Sequence, residues 1–128
     1  MSEDEIQKDP LTEQVIGCAI EVHRLLGPGL LETTYQQCLA YEMRLKNIPF
    51  KLEYPVPVEY KNVKLECGYR LDFLIDEWLI LELKSVEEIK GIHKAQLLTY
   101  MKLTGIKTGL LINFNVTQLV KGIRRFKL

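Results

Sequence analysis

The chain has little cysteine, little proline or glycine and no surplus charge. Its three cysteines, Cys18, Cys38 and Cys67, are widely spaced without a C-x-x-C pair, so neither a disulfide framework nor a zinc knuckle is indicated. They read as small apolar residues of a reducing compartment. Five prolines and eight glycines in 128 residues exclude collagen-like and Pro/Gly-rich disordered chains. Seventeen basic side chains balance seventeen acidic ones, so no global field draws the protein onto nucleic acid or an anionic membrane. Any polyanion must be held locally. The longest aliphatic or aromatic run is the four residues Trp78 to Leu81, far short of a membrane span. No charged-then-apolar leader opens the chain, and the expectation is a cytoplasmic protein without a membrane partner. P-loop, dinucleotide-binding glycine motif and Ser/His/Asp arrangement are all missing.

What is present is the composition of a packed chain, 47% hydrophobic and 27% charged. That length and balance predict a single domain over residues 1–128, with 1–9 as a flexible N-terminus. Acids crowd the beginning of the sequence, and Lys121, Arg124, Arg125 and Lys127 crowd its end. Such ends are either solvated or, at the basic one, a phosphate contact.

Apolar residues at helical spacing predict a helix from Leu11 to Leu26, with Pro10 in its first turn and Gly27-Pro28-Gly29 stopping it. A second helix follows from about Leu30 to Lys46. The period then changes to two. Phe50 to Tyr60 alternates without a fault, and Pro55 and Pro57 make it an edge strand. Val63 to Ile75 alternates in the same way, and Trp78 to Lys84 is apolar enough to be a central strand. A helix from about Glu87 to Thr104 is expected next, with Ser85 as its cap, then a buried strand from Lys107 to Phe114 and a last turn and strand. Helix, helix, three antiparallel strands, helix, strand is an α/β order: a mixed sheet, made of a three-strand meander plus a further strand, flanked by helices.

Alternation also sorts side chains by face. Asp72 falls on the wet face of the second strand, and Glu82 and Lys84 share a face of the third. If facing positions sum to 154, Asp72 stands opposite Glu82; this needs a three-residue turn or a bulge, because a two-residue Asp76-Glu77 loop would put Asp72 on the face of Leu81. Two opposed carboxylates repel unless a cation lies between them. Hard oxygen donors suit Mg²⁺ or Mn²⁺, which leave coordinated waters for a phosphate, and Lys84 could orient water or steady developing negative charge. The same residue types also occur as exposed ion-pair clusters. On the second helix Glu32 lies about 100° round from Leu31, at the border of the apolar stripe, where a carboxylate can point toward a shared ion or simply favour the helix N-terminus. On the third, Ile89, Ile92, His93, Gln96, Tyr100 and Leu103 share a face, so polar tips interrupt an expected core stripe.

Four segments together resemble a known family. Gly29-Leu30-Leu31-Glu32-Thr33-Thr34-Tyr35, Tyr69-Arg70-Leu71-Asp72, Glu82-Leu83-Lys84 and Gln96-Leu97-Leu98-Thr99-Tyr100 are similar, in this order, to the GxxExxY family of the PD-(D/E)XK nuclease superfamily. Leu71 stands where the superfamily's proline is. The resemblance implies a restriction-endonuclease-like fold and Mg²⁺- or Mn²⁺-dependent phosphodiester hydrolysis on DNA or RNA. It implies Glu32, Asp72 and Glu82 as metal ligands, Lys84 as the catalytic lysine, and Gln96 and Tyr100 as supporting residues. Arg70, Lys94 and the Arg124-Arg125 tail are candidate phosphate contacts. The alternative is an inactive nuclease scaffold that binds nucleic acid or a protein, with a homodimer formed along the edge strand.

Overall fold

The computed structural model describes residues 9–128. Residues 1–8, most of the expected flexible N-terminus, lie outside that range. Asp9, expected to belong with them, instead caps the first helix: its Oδ1 accepts the Thr12 amide proton at 2.8 Å. Helix α1 (Pro10–Leu26) ends at Gly27, which takes the positive φ of 70° that reverses the chain. Helix α2 (Glu32–Leu45) follows.

The two long alternating stretches are each broken in two. The first gives β1 (Phe50–Pro55) and β2 (Val58–Tyr60), and the second gives β3 (Val63–Leu65) and β4 (Arg70–Ile75). The inner pieces, β2 and β3, pair only with each other as a separate hairpin. Unbroken alternation hid this, because Pro57 and Gly68 (φ 81°) interrupt the backbone at wet positions without disturbing the pattern. Strand β5 (Leu79–Lys84) begins after Trp78, which belongs to the turn. Helix α3 (Gly91–Thr104), β6 (Thr108–Asn113), a 3-10 turn (Leu119–Gly122) and β7 (Ile123–Lys127) complete the chain. Ser85 does not cap α3, which starts later; its hydroxyl donates to the Leu30 carbonyl at 2.7 Å.

The main sheet has the order β1-β4-β5-β6-β7, antiparallel except for the parallel β5–β6 pair that α3 connects. Helices α1 and α2 cover one face over Phe73, Ile75, Leu81 and Leu110, and α3 covers the other over Leu71, Leu74, Ile80 and Leu111. This is an α/β domain with a mixed five-stranded sheet flanked by three helices, consistent with a restriction-endonuclease-like fold. The core side of α3 is Leu97, Tyr100 and Met101. Of the stripe expected to be core, Ile89 and Tyr100 do pack against the sheet, whereas Ile92, His93, Gln96 and Leu103 line a groove, with Ile92 71% exposed. No helix among the described residues is long and apolar enough to cross a membrane.

Candidate metal and phosphate site

The register that sequence left as a condition is met. Phe73 faces Leu81, Leu74 faces Ile80 and Ile75 faces Leu79, and Asp76, Glu77 and Trp78 make a three-residue turn. Asp76 and Glu77 accept left-handed φ values of 52° and 55° there, closed by the Trp78 amide donating to the Ile75 carbonyl.

The regular pairing stops one step further on, and the site begins. The Asp72 amide donates to Glu82 Oε2 at 2.9 Å, and the Leu83 amide donates to Asp72 Oδ2 at 2.8 Å. Each carboxylate thus takes a backbone N–H that a strand carbonyl would ordinarily accept. On the β1 side, the ladder skips the Glu53–Asp72 pair, and Glu53 has a φ of 51°. Across this point the strands exchange faces. Phe50, Leu52 and Phe73 pack under α1 and α2, whereas Tyr54 and Leu71 pack under α3. The expectation that Leu71 and Phe73 share a face is therefore wrong, because the left-handed residue and the opened ladder turn the strand between them.

Gln36, from α2, spans the switch. Its Nε2 donates to Glu53 Oε1 at 2.9 Å and to the Asp72 carbonyl at 3.2 Å. Sequence reasoning passed over this residue; the available signal was an amide beside the apolar stripe of α2. Asn113, also passed over, holds the segment after β5 by accepting from the Val86 amide and donating to the Val86 carbonyl.

Glu82 is 6% exposed. Burial, and then the neighbouring Asp72 carboxylate, push its pKa up to about 9; the Asp72 amide and Lys84 pull the other way. Tyr100 adjoins the pair, and its hydroxyl pKa is raised by burial first and then by Glu82, Tyr69 and Asp72. Lys84, two residues beyond Glu82, is half-buried and lines the groove with Gln96 and Tyr100. It makes no ion pair among the described residues.

Glu32 is exposed and stands apart from the acid pair. It comes from the α2 layer and meets the end of β5, where its Oε2 accepts from the Ser85 amide at 3.4 Å. Among the described residues no three His, Cys, Asp or Glu side chains stand together as a metal-holding group. Arg70 is exposed at the start of β4, opposite Pro55. The expected phosphate contact by the basic tail is only partly open, since Arg125 is engaged with Glu13 at 2.8 Å. His23 is structural, its Nε2 lying 2.7 Å from the Val116 carbonyl.

The donor set fits a hard divalent cation. Two carboxylates are held face to face with one oxygen of each tied to a backbone N–H, and a cation that keeps most of its waters needs only one or two such ligands. Comparison with curated proteins gives no match, and comparison with solved structures gives none. The sequence matches the family model of the PD-(D/E)XK nuclease superfamily over residues 9–126, from the cap of α1 into β7. With that match covering almost the whole chain, and an Asp, a Glu and a Lys on adjoining strands, the chain belongs to the PD-(D/E)XK nuclease superfamily.

Proposed function

We propose that the chain is a single-domain Mg²⁺- or Mn²⁺-dependent nuclease of the GxxExxY type that hydrolyses phosphodiester bonds in DNA or RNA. Superfamily membership points to nuclease chemistry on nucleic acid, and divalent metals are general in that superfamily. The observation that carries the reading is the apposition of Asp72 and Glu82, a repulsive arrangement that a cation resolves, with the unpaired Lys84 beside it. A bound cation would polarise the phosphate and lower the pKa of an attacking water. Asp72 and Glu82 are its ligands in this reading. Glu32, with one long hydrogen bond to Ser85 to give up, completes the acidic set.

The chain's own residues then divide the work. The Lys84 ammonium steadies negative charge on the phosphate or orients the water. Tyr100 bounds the acid pair on the α3 side, Gln96 lines the approach, and Arg70 is available to a phosphate further along the strand. Three free cysteines accord with a cytoplasmic setting. The homodimer has one favourable observation, that β1 is an edge of the sheet, although Lys51 and Pro55 blunt that edge. Light scattering coupled to size exclusion decides it.

The test is cleavage of single- and double-stranded DNA and RNA with Mg²⁺ or Mn²⁺. Lys84→Ala is expected to lower the rate about 10²- to 10⁴-fold with folding intact, and excess EDTA to abolish cleavage. Activity that survives either change overturns the mechanism. Binding without cleavage under every condition would instead favour the inactive scaffold.

A further inference from the structure

Beside the acid pair, the β2–β3 hairpin and α3 enclose an open groove of about 580 Å³ that starts at Lys84. One wall carries Val58 and Tyr69, and the other carries Ile92, Gln96 and Tyr100. Tyr69 is 45% exposed, and its ring lies 6.1 Å from that of Tyr100, tilted by 59°. An aromatic side chain is therefore offered to the groove beside Tyr100, the residue that adjoins the acids. His93 contributes a polar edge: its Nδ1 accepts from the Lys90 amide at 3.0 Å, which leaves Nε2 to carry the ring proton.

Charge decides what such a groove can take. Duplex DNA presents about one negative charge per 1.7 Å of axis, and proteins that hold it tightly neutralise many phosphates. Here the cationic or proton-donating lining is Lys84 and His93, and the adjoining depression beside His93 sets the exposed Glu87 and Glu88 against one cation, Lys90. A second phosphate backbone brought against that rim would meet two carboxylates for one ammonium. An unpaired strand has no second backbone and can turn its bases into an apolar, aromatic wall, where stacking does not depend on sequence.

We propose that the groove between Tyr69 and α3 binds bases of an unpaired nucleic-acid strand, so that the substrate is single-stranded DNA or RNA, or a single-stranded end, with its phosphate at Lys84. The inference rests on the nuclease reading for the position of the phosphate, but the binding it predicts is measured without cleavage.

Fluorescence anisotropy with a labelled oligonucleotide and its duplex, in Ca²⁺, tests it. The single strand is expected to bind at least about ten-fold more tightly than the duplex, and Tyr69→Ala to weaken it by about ten-fold or more, with Tyr69→Phe retaining affinity. Ile92→Glu, at a position exposed enough to leave folding untouched, is expected to weaken it as well, and Tyr60→Ala, on the exposed hairpin strand, to leave it unchanged. Equal or tighter duplex binding overturns the proposal, as does wild-type affinity in both Tyr69→Ala and Ile92→Glu. Single-strand binding that follows this pattern, with no cleavage in Mg²⁺ or Mn²⁺, sustains the groove and removes the nuclease. Cleavage with a preference for duplex does the reverse.

Discussion

Burying the carboxyl group of Glu82 beside Asp72 costs the folded protein stability whenever that group is ionised. Its folded pKa, about 9, lies above the ordinary 4.5. The stability contributed by the protonated form is therefore complete below the ordinary value and is lost progressively as pH rises toward the folded one. Glu82→Gln keeps an oxygen for the Asp72 amide and gives an N–H to the Asp72 carboxylate. In metal-free buffer it is expected to match wild type near pH 5 and to exceed it at pH 8 by about 1 to 3 kcal/mol. Mg²⁺ or Mn²⁺ should then narrow the difference, since the cation satisfies the ionised pair only in wild type. Thermal melts at the two pH values, with and without metal, check this; identical melting throughout would show that Glu82 carries no such burden. At this scale Asp72, Glu82 and Lys84 were legible because alternation and one register sort them onto a single face. Glu32 was legible as a type of residue but not as a position, because helical periodicity does not say how far α2 reaches past the end of β5. Gln36 was legible only as an amide beside an apolar stripe and not by its role: its partners are a carbonyl and a carboxylate 36 and 17 residues away.

The elements meet at two close approaches that side-chain chemistry can probe. Gln36 ties α2 to β1 and β4 at the point where the strands change faces. Gln36→Leu leaves the Asp72 carbonyl and Glu53 without that donor, and is expected to cost about 1 to 3 kcal/mol in urea unfolding. It should also weaken divalent-cation binding, because Asp72 loses its anchor; unchanged cation affinity in a folded variant would separate the switch from the site. Gly122, at the end of the 3-10 turn, lies so near β6 that an added Cβ would come 2.2 Å from the Asn113 carbonyl oxygen. Gly122→Ala must displace the residue that holds Val86, with an expected loss of about 1 to 3 kcal/mol. Gly17, with open space around it on α1, is the contrast: Gly17→Ala is expected to leave stability unchanged or raise it by up to about 1 kcal/mol. Helices α1 and α2 and strands β5 and β6 were legible because continuous periodicity and glycine stops bound them. The change of face inside β1 and β4 was not, since Tyr54 and Leu71 keep the apolar pattern while moving to the opposite core. With helices on both faces of the sheet, apolar residues are welcome on either side.

At the scale of the whole molecule, neutrality limits how nucleic acid can be held. The fold class followed from the order of periods along the chain, and the sheet order agrees with it. Charge placement did not follow, because the fold ties Arg125 to Glu13 and sets Glu87 and Glu88 beside the groove. A protein that reads duplex through its backbone releases many counterions, and its affinity falls steeply with salt. Here the cationic groups near the acid pair and groove are few: Lys84 in the groove, Lys90 beside His93, and Arg70 at the start of β4. For a single strand the slope of log affinity against log salt is about −0.7 per phosphate neutralised, so one to three contacts give a slope between about −0.7 and −2. Lys84→Ala should flatten it by about 0.7, whereas Tyr69→Ala should lower affinity at every salt concentration without changing the slope. Anisotropy titrations across a range of salt measure both quantities on the same samples. A slope steeper than about −5 would mean that the backbone, bound by cations elsewhere on the surface, carries the affinity, and that stacking in the groove is not what holds the strand.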